Sequence, residues 1–149
     1  MGQDPKMFIK PELIDEFKKK CDEIGFTVSI TYVDRTYKEQ TALFAQGREN
    51  LATVNKLRRI AGLYSIKDEE NKKNVTWTMN SKHIINLEDQ FKENDKSLAF
   101  DFCIVKKGKC CWDECIEDYK KCASIGESLG LYSGGNFKKQ DWPHLEFKV

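Results

Sequence analysis

The 149 residues, 40% of them apolar and 11% aromatic, suffice for one compact core and argue against wholesale disorder. Lys and Arg number 25 and Asp and Glu 24, a net charge of +1, so no basic field points to nucleic acid as a partner. No stretch approaches the ~20 apolar residues of a membrane helix, so membrane insertion is not expected. Met1 to Pro11 lacks both a basic leader and a continuous apolar core, and no secretory signal is read there. Gly2-Gln3-Asp4-Pro5 ahead of a second methionine, Met7, reads as an added leader over residues 1–6.

The first predicted element is a helix from Pro11 to Gly25, with Leu13, Phe17, Cys21 and Ile24 on one face and Gly25 as its stop. Phe26 to Val33 follows with the β-branched character of a strand. Thr36 and Glu39 have capping-box spacing and open a second helix that ends near Gly47. Leu51, Val54, Leu57 and Ala61 predict a third. Polar stretches at 67–74 and 86–97 flank Val75 to Thr78, a short predicted strand. Leu98 to Val105 is the clearest strand, with Phe100, Phe102 and Ile104 facing one way and Asp101 and Cys103 the other. Trp112 to Leu129 is an amphipathic helix stopped by Gly130. From Trp142 to Val149 the chain alternates again, with Leu145 and Phe147 opposite His144 and Glu146. With no repeat and no linker, this predicts an α+β single domain over residues 1–149, a small antiparallel sheet packed against helices.

Six cysteines without a Cys-x-x-Cys pair fit reduced, mostly buried thiols better than a disulfide scaffold or a zinc knuckle. Cys115 and Cys122 fall on the apolar face of the last helix, and Cys110-Cys111 in a loop. Cys103 shares a strand face with Asp101, where a soft thiolate would close a metal site.

There are two histidines, His83 and His144, and neither belongs to a helical apolar stripe. If the strands carrying Asp101 and His144 are neighbours, their polar faces meet above the sheet and His83 reaches in from the preceding loop. Two imidazoles and a carboxylate are a ligand set for catalytic zinc, which keeps a fourth position open. The plainer reading is two surface histidines and an aspartate ending a strand. Asp141, three residues before His144, is placed either to exchange protons with water at such a site or to cap a turn.

Several motifs occur in order: Arg35-Thr36-Tyr37-Lys38-Glu39-Gln40, Phe44-Ala45-Gln46-Gly47-Arg48, Ser81-Lys82-His83, Ala99-Phe100-Asp101-Phe102, Leu129-Gly130-Leu131-Tyr132-Ser133-Gly134-Gly135 and Asp141-Trp142-Pro143-His144-Leu145-Glu146. Together they resemble the phage endolysin L-alanyl-D-glutamate peptidases, relatives of the D-alanyl-D-alanine carboxypeptidases, from about Phe26 to the end of the chain. The resemblance implies that His83, Asp101 and His144 hold zinc on the sheet face. It further implies that Asp141 is the catalytic acid/base and that Arg35 binds the scissile carbonyl and steadies its oxyanion. Ser81 is a candidate for substrate binding, or a turn serine.

The implied activity is zinc-dependent hydrolysis of the L-alanyl-D-glutamate bond in peptidoglycan stem peptides by a monomer. Such a protein is made in a host cytoplasm and acts on the cell wall after release. A D-Ala-D-Ala carboxypeptidase and a non-catalytic zinc or peptidoglycan-binding module are the alternatives, and manganese or iron could fill a similar site. One departure from the family pattern is plain. Seventeen residues, 84 to 100, separate His83 from Asp101, more than in family members, so 86–97 reads as a loop insertion. It carries Glu88, Asp89, Glu93 and Asp95, one of which could replace Asp101 as ligand.

Overall fold

In the computed structural model, residues 2–79, 81–86 and 96–148 are described. In chain order they form α1 (Pro11–Glu23), β1 (Val28–Tyr32), β2 (Arg35–Thr36), α2 (Tyr37–Ala45), α3 (Leu51–Ile60), β3 (Ile84–Asn86), β4 (Ala99–Lys106), β5 (Lys109–Cys111), α4 (Ile116–Ser128), β6 (Leu131–Ser133) and β7 (His144–Phe147). The class is α+β, as the sequence predicts. Contacts group the chain into two compact units, Met1–Asp34 with Lys96–Val149, and Arg35–Asp95. Among the described residues no helix is long and apolar enough to cross a membrane.

The first unit is built on a five-stranded sheet in the order β1-β4-β7-β6, with β5 pairing the far end of β4. Every pair in it is antiparallel. Phe100, Phe102 and Ile104 of β4 face a core that also takes Phe8, Ile14, Phe17, Tyr119, Leu131 and Leu145, all fully or almost fully buried. Each such side chain is worth about 1.5–3 kcal/mol of burial. Phe17 sets its ring edge-on to both Phe100 and Phe102, which ties α1 to the middle of β4.

Pro11 begins α1, where its missing N–H costs nothing. The buried stripe of this helix is Ile14, Phe17 and Cys21, while Ile24 is 52% exposed. Phe17 and Cys21 of the predicted face are buried and Leu13 is partly so, whereas Ile24 falls outside because the helix ends at Glu23 and Ile24 lies in its cap. Gly25 takes φ +91° there, and Phe26 N–H returns to the Cys21 carbonyl to close the helix. On α4, Tyr119 reaches the sheet edge, its hydroxyl accepting from Ile104 N–H and donating to the Cys111 carbonyl.

The cysteines depart from the expectation of reduced thiols. Cys103 is bonded to Cys110 and Cys111 to Cys115, which staples the β4–β5 hairpin and its exit. Cys103, held in that bond, is not a metal ligand. Only Cys21 and Cys122 are free, both buried. A hydrogen bond to Cys122, reinforced by burial, holds the Cys21 thiol protonated well above its usual range.

The second unit carries α2 and α3 and the short parallel pair β2–β3. The predicted capping box is present: Thr36 Oγ1 accepts from Glu39 N–H at 3.1 Å, and Glu39 Oε1 from Thr36 N–H at 3.1 Å. Val54 and Ala45 form a small separate core with Ile66. Val75 to Thr78 is not a strand. Its polar groups go instead to the fully buried Gln40, whose amide donates to Thr76 Oγ1 at 3.0 Å and the Thr78 carbonyl at 2.7 Å. Of the predicted insertion over 86–97, residues 87–95, with Glu88, Asp89, Glu93 and Asp95, lie outside the described residues.

Candidate metal centre

Strand pairing sets the first half of the site. Asp101 on β4 and His144 on β7 are register partners, with their neighbours Phe100 and Leu145 turned to the core. Alternation therefore sends both polar side chains to the opposite face of the sheet. Asp101 Oδ1 lies 3.2 Å from His144 Nδ1. The other imidazole nitrogen, Nε2, lies 2.8 Å from Glu146 Oε1, two residues further along β7 on the same face.

His144 is almost fully buried, and burial by itself lowers its pKa. The hydrogen bonds to Asp101 and Glu146, with the charges of Asp101 and Asp141, outweigh that and push it up to about 9. Without a cation, then, the imidazole is itself the positive charge among three carboxylates.

Asp141 and His144 bracket a tight turn in which the Asp141 carbonyl accepts from His144 N–H at 3.2 Å. The turn rests on Gly134, whose carbonyl accepts from Asp141 N–H at 2.8 Å. A Cβ on Gly134 would land on the Asp141 carbonyl and come within 2.9 Å of His144 Cβ; one on Gly135 would enter the Trp142 ring. Both glycines are needed for this close approach. The Asp141 side chain is exposed.

In the second unit, β2–β3 pairing places Arg35 beside the segment that carries His83. Arg35 N–H donates to the His83 carbonyl at 2.8 Å, and His83 N–H to Ser81 Oγ at 3.2 Å. Ser81 thus lies in the turn that leads into His83. His83 is 2% exposed. Arg35 Nη1 donates to Gln40 Oε1 at 3.2 Å, so the guanidinium is held by a side chain itself anchored on Thr76 and Thr78.

His83, Asp101 and His144 each offer one ligand atom, and these atoms all lie within 4.8 Å of one another. Two imidazole nitrogens and one carboxylate oxygen at such separations are able to hold a metal ion. Among the described residues this is the one such group of His, Cys, Asp and Glu. Sequence reading missed Glu146. The signal available was its position two residues from His144 in an alternating strand, which puts a carboxylate beside the imidazole.

No protein-family model matches the chain. It is similar to the peptidoglycan L-alanyl-D-glutamate endopeptidase CwlK of Bacillus subtilis (strain 168), with 27% identity over 141 residues that cover 89% of this chain and 67% of CwlK. The chain is thus a distant homologue of a peptidoglycan endopeptidase and carries a group of side chains able to hold a metal ion.

Proposed function

We propose that the protein is a zinc-dependent endopeptidase that hydrolyses the L-alanyl-D-glutamate bond of peptidoglycan stem peptides. The observation that carries this reading is the convergence of His83, Asp101 and His144 ligand atoms within 4.8 Å, in a chain similar to CwlK. Zinc, when bound, supplies a Lewis acid that polarises the scissile carbonyl and makes water more acidic.

The remaining chemistry belongs to the protein. Asp141, carried on the turn that ends at His144, takes a proton from the attacking water and returns it to the departing amine of D-glutamate. Its carbonyl accepts from His144 N–H in that turn, which supports a place for its carboxylate near the candidate ligands. Arg35, with its guanidinium held by Gln40, is a fixed positive charge for the oxyanion that develops on the alanyl carbonyl. The site of action in this reading is the cell wall of a bacterium, reached after synthesis in the cytoplasm, as in a phage lysin.

The test is digestion of purified sacculi with the zinc-loaded protein, followed by mass spectrometry of the released peptides. New D-glutamate amino termini, lost on chelation and restored by zinc, are expected. Loss of terminal D-alanine instead would make the protein a carboxypeptidase. No turnover by fully zinc-loaded protein would make it a binding module.

A further inference from the structure

His144 has carboxylates at both ring nitrogens, and only one of them belongs to the metal-binding group. Asp101, on the Nδ1 side, offers one of the three ligand atoms; Glu146, on the Nε2 side at 2.8 Å, does not. The imidazole can coordinate a cation through one nitrogen only, and the nitrogen that faces the candidate ligand Asp101 is Nδ1. That leaves Nε2 to carry the ring proton and to donate it.

We propose that Glu146 is a positioning residue that accepts the Nε2–H of His144, fixing the tautomer and ring angle that present Nδ1 to the metal. The proposal rests on the reading of His83, Asp101 and His144 as a metal centre. Three observations support it. Glu146 is 8% exposed, a carboxylate kept out of water on a strand where only a partner justifies the cost. It lies two residues from His144, so the sheet itself aligns the two side chains on one face. The contact is a short, charge-assisted one at the ring nitrogen turned away from Asp101. A carboxylate behind a ligating histidine makes the metal-bound nitrogen more basic and holds the ring against rotation, and losing such a partner typically costs about 10–100-fold in metal affinity.

The experiment is zinc binding by chelator competition on the full chain, for the wild type and for Glu146→Gln, Glu146→Leu and His144→Ala. It is read beside the imidazole N–H resonances of the zinc-loaded proteins. The wild type should show one downfield Nε2–H resonance that disappears in H144A. Glu146→Gln keeps an acceptor oxygen but not the charge, so its affinity should fall less than tenfold with the resonance shifted upfield. Glu146→Leu should lose about 10–100-fold and expose the Nε2–H to solvent exchange. Circular dichroism of the metal-free variants separates this from misfolding, and Gln serves where Leu does not fold. Affinities within twofold of wild type in a folded Gln or Leu variant, with the resonance unmoved, would overturn the proposal while leaving the metal centre standing. A wild type that binds no zinc would overturn the metal centre and the proposal with it.

Discussion

Asp101 and His144 face each other across two antiparallel strands, and their side chains meet at 3.2 Å between Oδ1 and Nδ1. Strand register alone therefore delivers two of the three candidate ligands, separated by more than forty positions in sequence, without any loop having to be ordered for the purpose.

The same pairing predicts how the metal-free protein responds to pH. His144 moves from an ordinary 6.5 to about 9 in the fold. A raised histidine stabilises fully below its unfolded value, and the contribution fades as pH climbs through about 9, for a total of about 3 kcal/mol. Urea unfolding of chelator-treated wild type and His144→Gln should show a stability gap at pH 6 that closes by pH 10. Zinc must displace the Nδ1 proton, so its apparent affinity should fall by roughly tenfold per pH unit below 9. A gap independent of pH would contradict this account of His144.

How much was legible beforehand follows from the length of each signal. The α1, α2 and α3 helices and β4 announce themselves through caps, stops and apolar periods spread over eight or more residues. The β2, β3, β5 and β6 strands are two or three residues each, too short for alternation to register, and β2–β3 is defined only by its partner. Val75 to Thr78 has strand-like residues, yet a buried Gln40 claims its polar groups. Motif and chemistry point to the candidate ligands, whereas alternation puts Glu146 on the face of His144 without showing that its carboxylate meets the Nε2 nitrogen. The disulfides were invisible because hairpin pairing of β4 with β5 brings Cys103 to Cys110, a contact that spacing alone does not reveal.

Gly134 offers a test of how tightly the site is held from below. An alanine there meets the Asp141 carbonyl and His144 Cβ, so the Asp141–His144 turn must move. Gly134→Ala should cost about 1–3 kcal/mol in unfolding free energy. A shift of about 1 Å at the reacting groups should also cut turnover on sacculi by about 100-fold. Gly130→Ala is the control: its φ of +92° makes alanine strained, but nothing lies near the added methyl. It should lose about 1–2 kcal/mol with turnover unchanged. Equal effects of the two on turnover would place the cost of Gly134→Ala in general stability.

The disulfides predict a thiol count and a stability difference. Alkylation of the unfolded, unreduced protein should label two cysteines, Cys21 and Cys122. The Cys103–Cys110 bond closes a loop with a sequence separation of 7, for which loss of chain entropy corresponds to about 2–3 kcal/mol. Cys103→Ser with Cys110→Ser should lower the denaturant midpoint accordingly while zinc binding persists, since Cys103 is not a ligand. Six labelled thiols in protein recovered from an oxidising buffer would count against both bonds.

Asp141 and Arg35 are separable from the ligands by what their loss leaves intact. Asp141 is exposed at the end of a turn held by backbone bonds, so Asp141→Asn should fold and bind zinc within a few-fold of wild type. Turnover should nevertheless fall about 100- to 10,000-fold, the range for removing a proton-transfer group. Arg35→Lys keeps the charge but loses the planar fork that Gln40 holds, and should cost about 100-fold or more in turnover with zinc retained. His83→Ala and Asp101→Ala, by contrast, should lose metal and activity together. Measuring zinc content beside the release of new amino groups from sacculi distinguishes the two classes, and an Asp141→Asn protein that retains the wild-type rate would remove Asp141 from the chemistry.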